Sequence, residues 1–255
     1  MTALKPHMAA SYSIISKKDP AWSDVRQWAY AIGAPYHVQH RLPVDSIPID
    51  AEQRLSATKL CNQAWGIETA RELAASLDGL ASGGHRTPFR YRIRQYSLMR
   101  RPAIAARREE LREAGPENPS ALNELWRLDA VQSDWHGIRG GNLLAFDAAR
   151  AVMLVRCGLV LDWLCQDDAW RYLTDMAADV QRSFGSWVDF ATDYKLSRAV
   201  WAGDGLHDQT DDIVTQLLEE ASSPWRRLSW TIGGLEVPRP VAQPVAGAPV
   251  WSLER

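Results

Sequence analysis

The sequence carries no large excess of charge of one sign. It has 29 Lys and Arg against 31 Asp and Glu, a formal net charge of -2 at pH 7. A nearly neutral chain argues against affinity of the whole protein for nucleic acid, although a local basic patch stays compatible with it. With 46% apolar and 24% charged residues, the composition is globular and excludes a disordered or collagen-like chain.

The sequence also lacks a long apolar run and is poor in cysteine. Residues 1–16 contain no apolar core of a secretory signal, and the charge-free apolar stretches are far too short to span a bilayer. The three cysteines, Cys61, Cys157 and Cys165, are too widely spaced to suggest a disulfide framework or a metal site. We therefore expect a cytoplasmic protein that makes no contact with a membrane.

The short motifs that mark common enzymes are absent as well. The chain has no Walker loop, no paired histidines at helical spacing, no Gly-x-Ser-x-Gly elbow and no dinucleotide fingerprint. We therefore expect no cofactor and no metal, and the sequence favours a protein without catalytic activity. The nearest glycine-rich loop is 136–142. Its amides, with His136 and Arg139, could hold an anion, but a plain turn is the simpler interpretation.

Helical periodicity dominates what is present. The segment 143–163 is apolar on nearly all sides, which predicts a buried central helix. The sequence therefore predicts a mostly α-helical fold, a single irregular multi-helix bundle around that helix, with little or no β structure. We expect one domain over 1–230, followed by a C-terminal extension, 231–255, that is rich in Pro, Ala and Val.

Several patterns predict where individual helices begin. Asp19-Pro20 predicts the start of a first helix, and the prolines within 34–49 predict a loop after it. Thr69 and Glu72 have the spacing of a capping box, in which each side chain bonds the other residue's free backbone amide.

Residues 89–94 fit two structures. Their strict alternation has the period of a half-buried strand, whereas Phe89, Ile93 and Tyr96 fall on one face of a helix. The helical neighbours favour a helix, and a strand stays open as the alternative.

Tryptophan is abundant, with 12 residues. Six fall on predicted apolar helical faces or helix ends, where large rings fill core volume: Trp22, Trp65, Trp126, Trp170, Trp187 and Trp201. Three near the C-terminus are left as candidates for an exposed aromatic surface: Trp225, Trp230 and Trp251.

Five residues form a candidate polar network: His85, Arg86, Asp147, Arg150 and Arg198. Asp147 and Arg150 are three residues apart and so neighbours on the central helix. Arg198 interrupts an aromatic stripe, so we expect it to be partly buried and paired, with Asp147 as the first choice of partner and Asp193 as the second. The network is either a set of structural ion pairs or a site for phosphate or carboxylate.

Basic residues concentrate between Arg86 and Arg112, where nine arginines and two glutamates give a local charge of +7. The candidate partner-binding surface consists of Arg90, Arg92, Arg94, Arg100, Arg101, Arg107 and Arg108. This run has three interpretations: a solvated face paired with nearby acids, a docking site for an acidic protein, or a site for single-stranded nucleic acid that stacks on Phe89, Tyr91 and Tyr96.

Short motifs along the chain point to one family. They are Trp65-Gly66-Ile67, Gly84-His85-Arg86, Phe146-Asp147 with Arg150, and Phe184-Gly185-Ser186-Trp187 followed by Tyr194, Arg198 and Trp201. Over about residues 50–230 the chain resembles an uncharacterised bacterial family, the domain of unknown function numbered 1266. Phe146 and Ser197 depart from its pattern, which usually has Trp and Gly there. The resemblance implies an α-helical bacterial domain and no established activity.

Together these features lead us to expect a non-catalytic intracellular bacterial protein that binds another protein, either a toxin that it neutralises, as an immunity protein does, or a regulated partner. The partner is expected to be acidic, with nucleic acid as the lesser alternative. The alternative function is an enzyme or sensor that binds a phosphorylated or nucleotide ligand through the candidate polar network.

Overall fold

The computed structural model describes residues 12–115, 117–205 and 208–235. The helices are α1 (Asp24–Ala31), α2 (Ala34–Gln39), α3 (Ala51–Lys59), α4 (Ala70–Ser82), α5 (Arg86–Leu98), α6 (Arg101–Glu113), α7 (Pro119–Gln132), α8 (Leu144–Val160), α9 (Gln166–Ser183), α10 (Trp187–Ala202), α11 (Asp208–Glu219) and α12 (Pro224–Arg227), with a π-helix at Leu60–Trp65 and a 3-10 helix at Trp135–Gly140. Within the described ranges β pairing is limited to one bridge between Ile15 and Pro43. The predicted mostly α-helical fold is confirmed.

The central helix of the bundle is α8. All 17 of its residues are buried, and it packs against α2, α3, α4, α9 and α10. Gly158 allows this close packing, because a Cβ at that position would lie 2.6 Å from side-chain carbons of Leu73 and Leu164. The prediction of a buried central helix within 143–163 is therefore confirmed. No helix among the described residues combines the length and the apolar character that a bilayer crossing requires.

The apolar side chains form two cores. The larger one surrounds α8 and is built from α1 to α4 and from α9 to α12. The smaller one lies beneath α5, α6 and α7 and reaches Leu143 at the start of α8 and Leu196 and Val200 in the second half of α10. Helices α5 to α7 thus form a layer of their own on one side of the bundle, with their outer faces in solvent.

The predicted start of the first helix and the predicted loop after it are wrong. Asp19 accepts a hydrogen bond from the backbone N–H of Ala21 at 2.9 Å, so Asp19-Pro20 forms a turn, and α1 begins later, with the Ser23 side chain as its N-cap. The loop predicted for 34–49 is interrupted by α2. Pro35 lies in the first turn of α2, where its missing N–H costs no helical hydrogen bond.

The capping box and the helix at 89–94 are confirmed. Thr69 accepts from the backbone N–H of Glu72 at 3.3 Å, and the Glu72 carboxylate accepts from that of Thr69 at 3.0 Å. Residues 89–94 lie within α5, which buries Phe89, Ile93 and Tyr96 on one face. The alternating pattern therefore belongs to a helix in which Arg90 and Arg94 are exposed and Arg92 is half-buried.

The aromatic surface predicted near the C-terminus is wrong for two of its three residues. Trp225 is 4% exposed, stacks on Trp187 at 5.6 Å and donates from Nε1 to the Ala31 carbonyl at 2.8 Å. Trp230 packs against the larger core. Trp251 and the rest of the extension beyond residue 235 lie outside the described residues, and the expected single domain stays a prediction.

Candidate functional site

Asp147 lies at the centre of the predicted polar network. It is 1% exposed, in the first turn of α8. One carboxylate oxygen accepts from the backbone N–H of Arg86 at 3.0 Å and from its Nη1 at 3.4 Å, and the other accepts from Nη2 of Arg150. This carboxylate therefore ties the junction of α4 and α5 to α8.

The chain approaches Asp147 closely only because residue 84 is glycine. Gly84 has φ +51°, and a Cβ there would overlap the Asp147 carboxylate. Two residues later, the Arg86 guanidinium donates to the carbonyls of Leu80 at 2.8 Å and Ala81 at 3.1 Å, which lack intrahelical partners at the end of α4. The Arg86 side chain thus caps the C-terminal end of α4.

Arg150 is buried among aromatic rings. It is 4% exposed, and its guanidinium carbon lies 4.5 Å from the centroid of Phe146, 5.3 Å from that of Trp65 and 5.9 Å from that of Trp201. Its Nη2 also lies 2.6 Å from Nδ1 of His85. Its Nε is buried with no hydrogen-bond partner among the described residues.

His85 is neutral at pH 7. Burial and the nearby Arg150 guanidinium lower its pKa from 6.5 to about 4, against the opposing effect of Asp147. Because Arg150 can only donate, Nδ1 of His85 must accept, and the ring proton is on Nε2. A neutral imidazole with its basic nitrogen already engaged is a weak general base, so this arrangement favours a positioning role over catalysis.

The lowered pKa of His85 predicts how stability depends on pH. The unfolded chain binds a proton near pH 6.5 and the folded chain only near pH 4, so the stability contribution is complete above pH 6.5 and is lost as pH falls towards 4. At about 1.4 kcal/mol per pKa unit, the loss is about 3 kcal/mol. Urea denaturation of the wild type and of His85→Gln at several pH values measures it, and equal pH dependence in the two proteins would contradict it.

Arg198 pairs with neither predicted partner. Its guanidinium carbon lies 5.4 Å from the centroid of Trp201 and 5.9 Å from that of Phe146, and it makes no ion pair with any described residue. Its Nη1 is buried without a hydrogen-bond partner. The predicted pairing fails because Asp147 is already engaged by Arg86 and Arg150, and Asp193 caps a helix.

Asp193 holds the N-terminus of α8. Its two oxygens accept from the backbone N–H groups of Leu143 at 2.9 Å and Ala145 at 3.0 Å. These N–H groups would otherwise attract an external anion. The Asp193 carboxylate therefore occupies the anion site that the glycine-rich loop could have formed. Sequence reasoning missed this role, since nothing local links Asp193 to a helix that begins some 50 residues earlier.

The glycine-rich loop itself is a structural turn, as the simpler interpretation held. It forms part of the 3-10 helix Trp135–Gly140. The Arg139 guanidinium donates to the carbonyls of Val131 at 2.8 Å and Gln132 at 2.9 Å, at the end of α7.

Two recesses open beside the polar network. The His85 recess includes His85, Asp147, Phe146, Ser197 and Trp201 among its lining residues. The Arg198 recess includes Gln39, Tyr194, Arg198, Gln209 and Thr210 among its lining residues. The structure thus brings His85, Arg86, Asp147 and Arg150 together, and it places Arg198 beyond Phe146 and Trp201, against a recess of its own.

The arginine run divides into paired and unpaired members. Four arginines bind carboxylates of α6 or α7: Arg92 to Glu124 at 2.5 Å, Arg107 to Glu110 at 2.6 Å, Arg108 to Asp129 at 2.6 Å and Arg112 to Glu109 at 3.8 Å. Glu124, 7% exposed, also accepts from the Tyr96 hydroxyl, and sequence reasoning missed this buried acid. Its position one turn before the buried Leu128 is the signal that could have found it.

Four members of the run, Arg90, Arg94, Arg100 and Arg101, are exposed and make no ion pair with any described residue. Tyr91 and Leu98, on the same side of α5, are 65% and 74% exposed. We call Arg90, Tyr91, Arg94 and Leu98 the α5 face, since Arg90 and Tyr91 lie one turn before Arg94 and Leu98 lies one turn after it, on one side of the helix.

The aromatic residues interleaved with the run do not form a stacking platform. Phe89 and Tyr96 are each 6% exposed, in the smaller core, and only Tyr91 faces solvent. Binding of single-stranded nucleic acid by stacking on all three rings is therefore excluded. In the part of the chain that the structure describes, no three His, Cys, Asp or Glu side chains come together as they would around a metal ion.

Comparison with known proteins identifies one match. The model of a family described as "Protein of unknown function (DUF1266)" matches residues 62–230, which include every member of the polar network. Neither the curated proteins nor the solved structures provide a match.

Proposed function

From the premise that the chain belongs to the DUF1266 family, we propose that it is a non-catalytic protein that binds an acidic protein partner through the α5 face. The observation that supports this most directly is the set of exposed arginines, unpaired within the described residues, that bracket Tyr91 and Leu98.

The charges of the α5 face are available to a partner. Elsewhere in the same run, arginines near an acidic side chain are bound to it, as Arg92 and Arg108 are. The arginines of the α5 face have no such neighbour, so a carboxylate-rich surface would complement them, steer the encounter and disfavour basic competitors.

The apolar side chains of the α5 face supply the contact area that charge alone does not. Solvent-exposed ion pairs contribute little to affinity, whereas an aromatic or aliphatic side chain that becomes buried at the centre of an interface contributes much. Tyr91 and Leu98 are seven residues apart, two helical turns, so they would anchor the two ends of a short amphipathic segment of the partner.

The polar network supports a non-catalytic function. Its one carboxylate is engaged by Arg86 and Arg150, and its one histidine is neutral and engaged through Nδ1. A toxin that the chain neutralises, or a protein that it regulates, would be such a partner. The proposal includes a cytoplasmic location, with which the free thiols of Cys61, Cys157 and Cys165 agree.

Site-specific crosslinking tests the proposal. A photo-reactive amino acid replaces Tyr91 on the α5 face or, as a control, Val188, which is 58% exposed on α10. We expect a defined protein to be captured in cells of the source organism through position 91 and not through position 188. The affinity of the purified partner is then measured for the wild type and for Arg90→Glu/Arg94→Glu.

Charge reversal on the α5 face is expected to weaken binding by about 100-fold, because it replaces two attractions by two repulsions. Each tenfold step in the dissociation constant corresponds to about 1.4 kcal/mol. The matched control is Arg171→Glu/Arg226→Glu, which changes net charge equally and is expected to weaken binding less than threefold. Capture of nucleic acid through position 91, or equal effects of the two double variants, would overturn the proposal.

A further inference from the structure

Positive charge exceeds negative charge around the rings of Phe146 and Trp201. Both guanidinium groups of Arg150 and Arg198 lie within 6 Å of these two rings. Asp147 is the one carboxylate bound to this group among the described residues, and Arg150 already engages it. Within the described part of the chain, the Arg198 guanidinium therefore has no carboxylate to balance its charge.

Buried donor atoms in this region also lack acceptors. Nε of Arg150 and Nη1 of Arg198 are both buried without a hydrogen-bond partner. Buried donors of charged groups are nearly always satisfied, because leaving one unpaired is costly. An aromatic ring compensates part of a guanidinium's charge, but it does not accept the directed hydrogen bonds that the N–H groups offer.

The Arg198 recess gives such an acceptor a place to bind. Its lining includes the neutral hydrogen-bonding residues Gln39, Tyr194, Gln209 and Thr210 beside Arg198. Burial raises the pKa of the Tyr194 hydroxyl well above 10, so this group stays protonated and can donate. The recess is open to solvent, so an anion can approach it from outside.

We propose that the Arg198 recess binds a phosphate group, either as inorganic phosphate or at the end of a phosphomonoester, with Arg198 as the principal donor and Tyr194 and Thr210 as neutral donors. Phosphate fits better than carboxylate because Arg198, Tyr194 and Thr210 together offer donors to three oxygens, one more than a carboxylate has. This site is separate from the α5 face and does not depend on it.

Calorimetric titration with inorganic phosphate tests the proposal, with phosphoserine as the monoester and acetate and chloride as competitors at equal ionic strength. We expect saturable binding of phosphate or of phosphoserine, and at least tenfold weaker binding of acetate and chloride. Binding of phosphoserine alone would identify the monoester as the ligand, and binding of both would identify the phosphate group itself. Acetate binding as tight as that of phosphate, or no saturable binding of either phosphate compound, overturns the proposal.

Variants locate the site. Arg198→Gln is expected to raise the dissociation constant for phosphate at least tenfold, and Tyr194→Phe, which keeps the ring, about fivefold. Arg226→Gln, at an exposed arginine elsewhere, is the matched control, and Arg90→Glu/Arg94→Glu separates this site from the α5 face. Both are expected to leave phosphate binding unchanged.

Because Arg198 makes no ion pair in the described structure, Arg198→Gln should unfold close to the wild-type temperature in chloride. If Arg198→Gln does not fold, the phosphate affinity of Tyr194→Phe tests the proposal instead. Unchanged phosphate affinity in a folded variant at either position would show that the phosphate binds elsewhere.

Discussion

Replacement of Asp147 by alanine is expected to lower the free energy of unfolding by about 4 kcal/mol. The carboxylate is 1% exposed and accepts hydrogen bonds from Arg86 and Arg150. Without it, Arg150 stays buried with its charge unpaired, and the loss of one partner of a buried ion pair costs about 3–5 kcal/mol. Urea denaturation at pH 7, followed by circular dichroism, measures the change.

Two variants show whether the carboxylate itself is responsible. Asp147→Asn keeps one oxygen that can accept from the Arg86 backbone, so we expect it to lose less than the alanine variant. Asp175→Ala removes an exposed carboxylate from α9 and is expected to cost less than about 0.5 kcal/mol. If Asp147→Ala cost no more than Asp175→Ala, the guanidinium of Arg150 would have to find another partner, and the central role of Asp147 would be wrong.

Replacement of Asp193 by alanine is expected to have a similar effect for a different reason. Its carboxylate satisfies two backbone N–H groups at the start of α8, those of Leu143 and Ala145. Each buried donor left without a partner costs about 1–3 kcal/mol, and the positive end of the α8 dipole loses its negative cap, so we expect a loss of about 4 kcal/mol. Thermal and urea unfolding both report it.

Asp193→Asn is the informative control. The asparagine oxygen can satisfy one of the two N–H groups, while its own NH₂ group faces the other, so this variant should retain part of the stability. Amide hydrogen exchange at Leu143 and Ala145 offers a local readout, which should quicken in the alanine variant before α8 opens as a whole. Unchanged exchange at both amides would contradict the proposed cap.

These stability predictions separate two kinds of charged residue around α8. Asp147 and Asp193 join helices distant in the chain, so their replacement should mainly lower the free energy of unfolding. Arg198 makes no ion pair with the described residues, so its replacement should mainly lower the affinity for phosphate. Measurement of both quantities for the same variants distinguishes a structural network from a ligand site, the choice that the sequence left open.

Local sequence patterns predicted the structure correctly where the stabilising interactions join residues close together in the chain. Thr69 and Glu72 predicted a capping box because its hydrogen bonds join residues three apart. The apolar segment 143–163 predicted α8 because a helix that is apolar on all sides must be buried. Asp19-Pro20 misled because the same pair also begins a turn, and the packing around α1 decides between them.

The sequence by itself thus determined the helical class, the central helix, the start of α4 and the family resemblance, since each depends on residues close together in the chain. The tertiary structure alone decided which charges meet. Arg86 and Asp147 are 61 residues apart, and Asp193 reaches an N–H group 50 residues away. Such pairings depend on how whole helices pack, and periodicity within one helix carries no information about the helix that it will face.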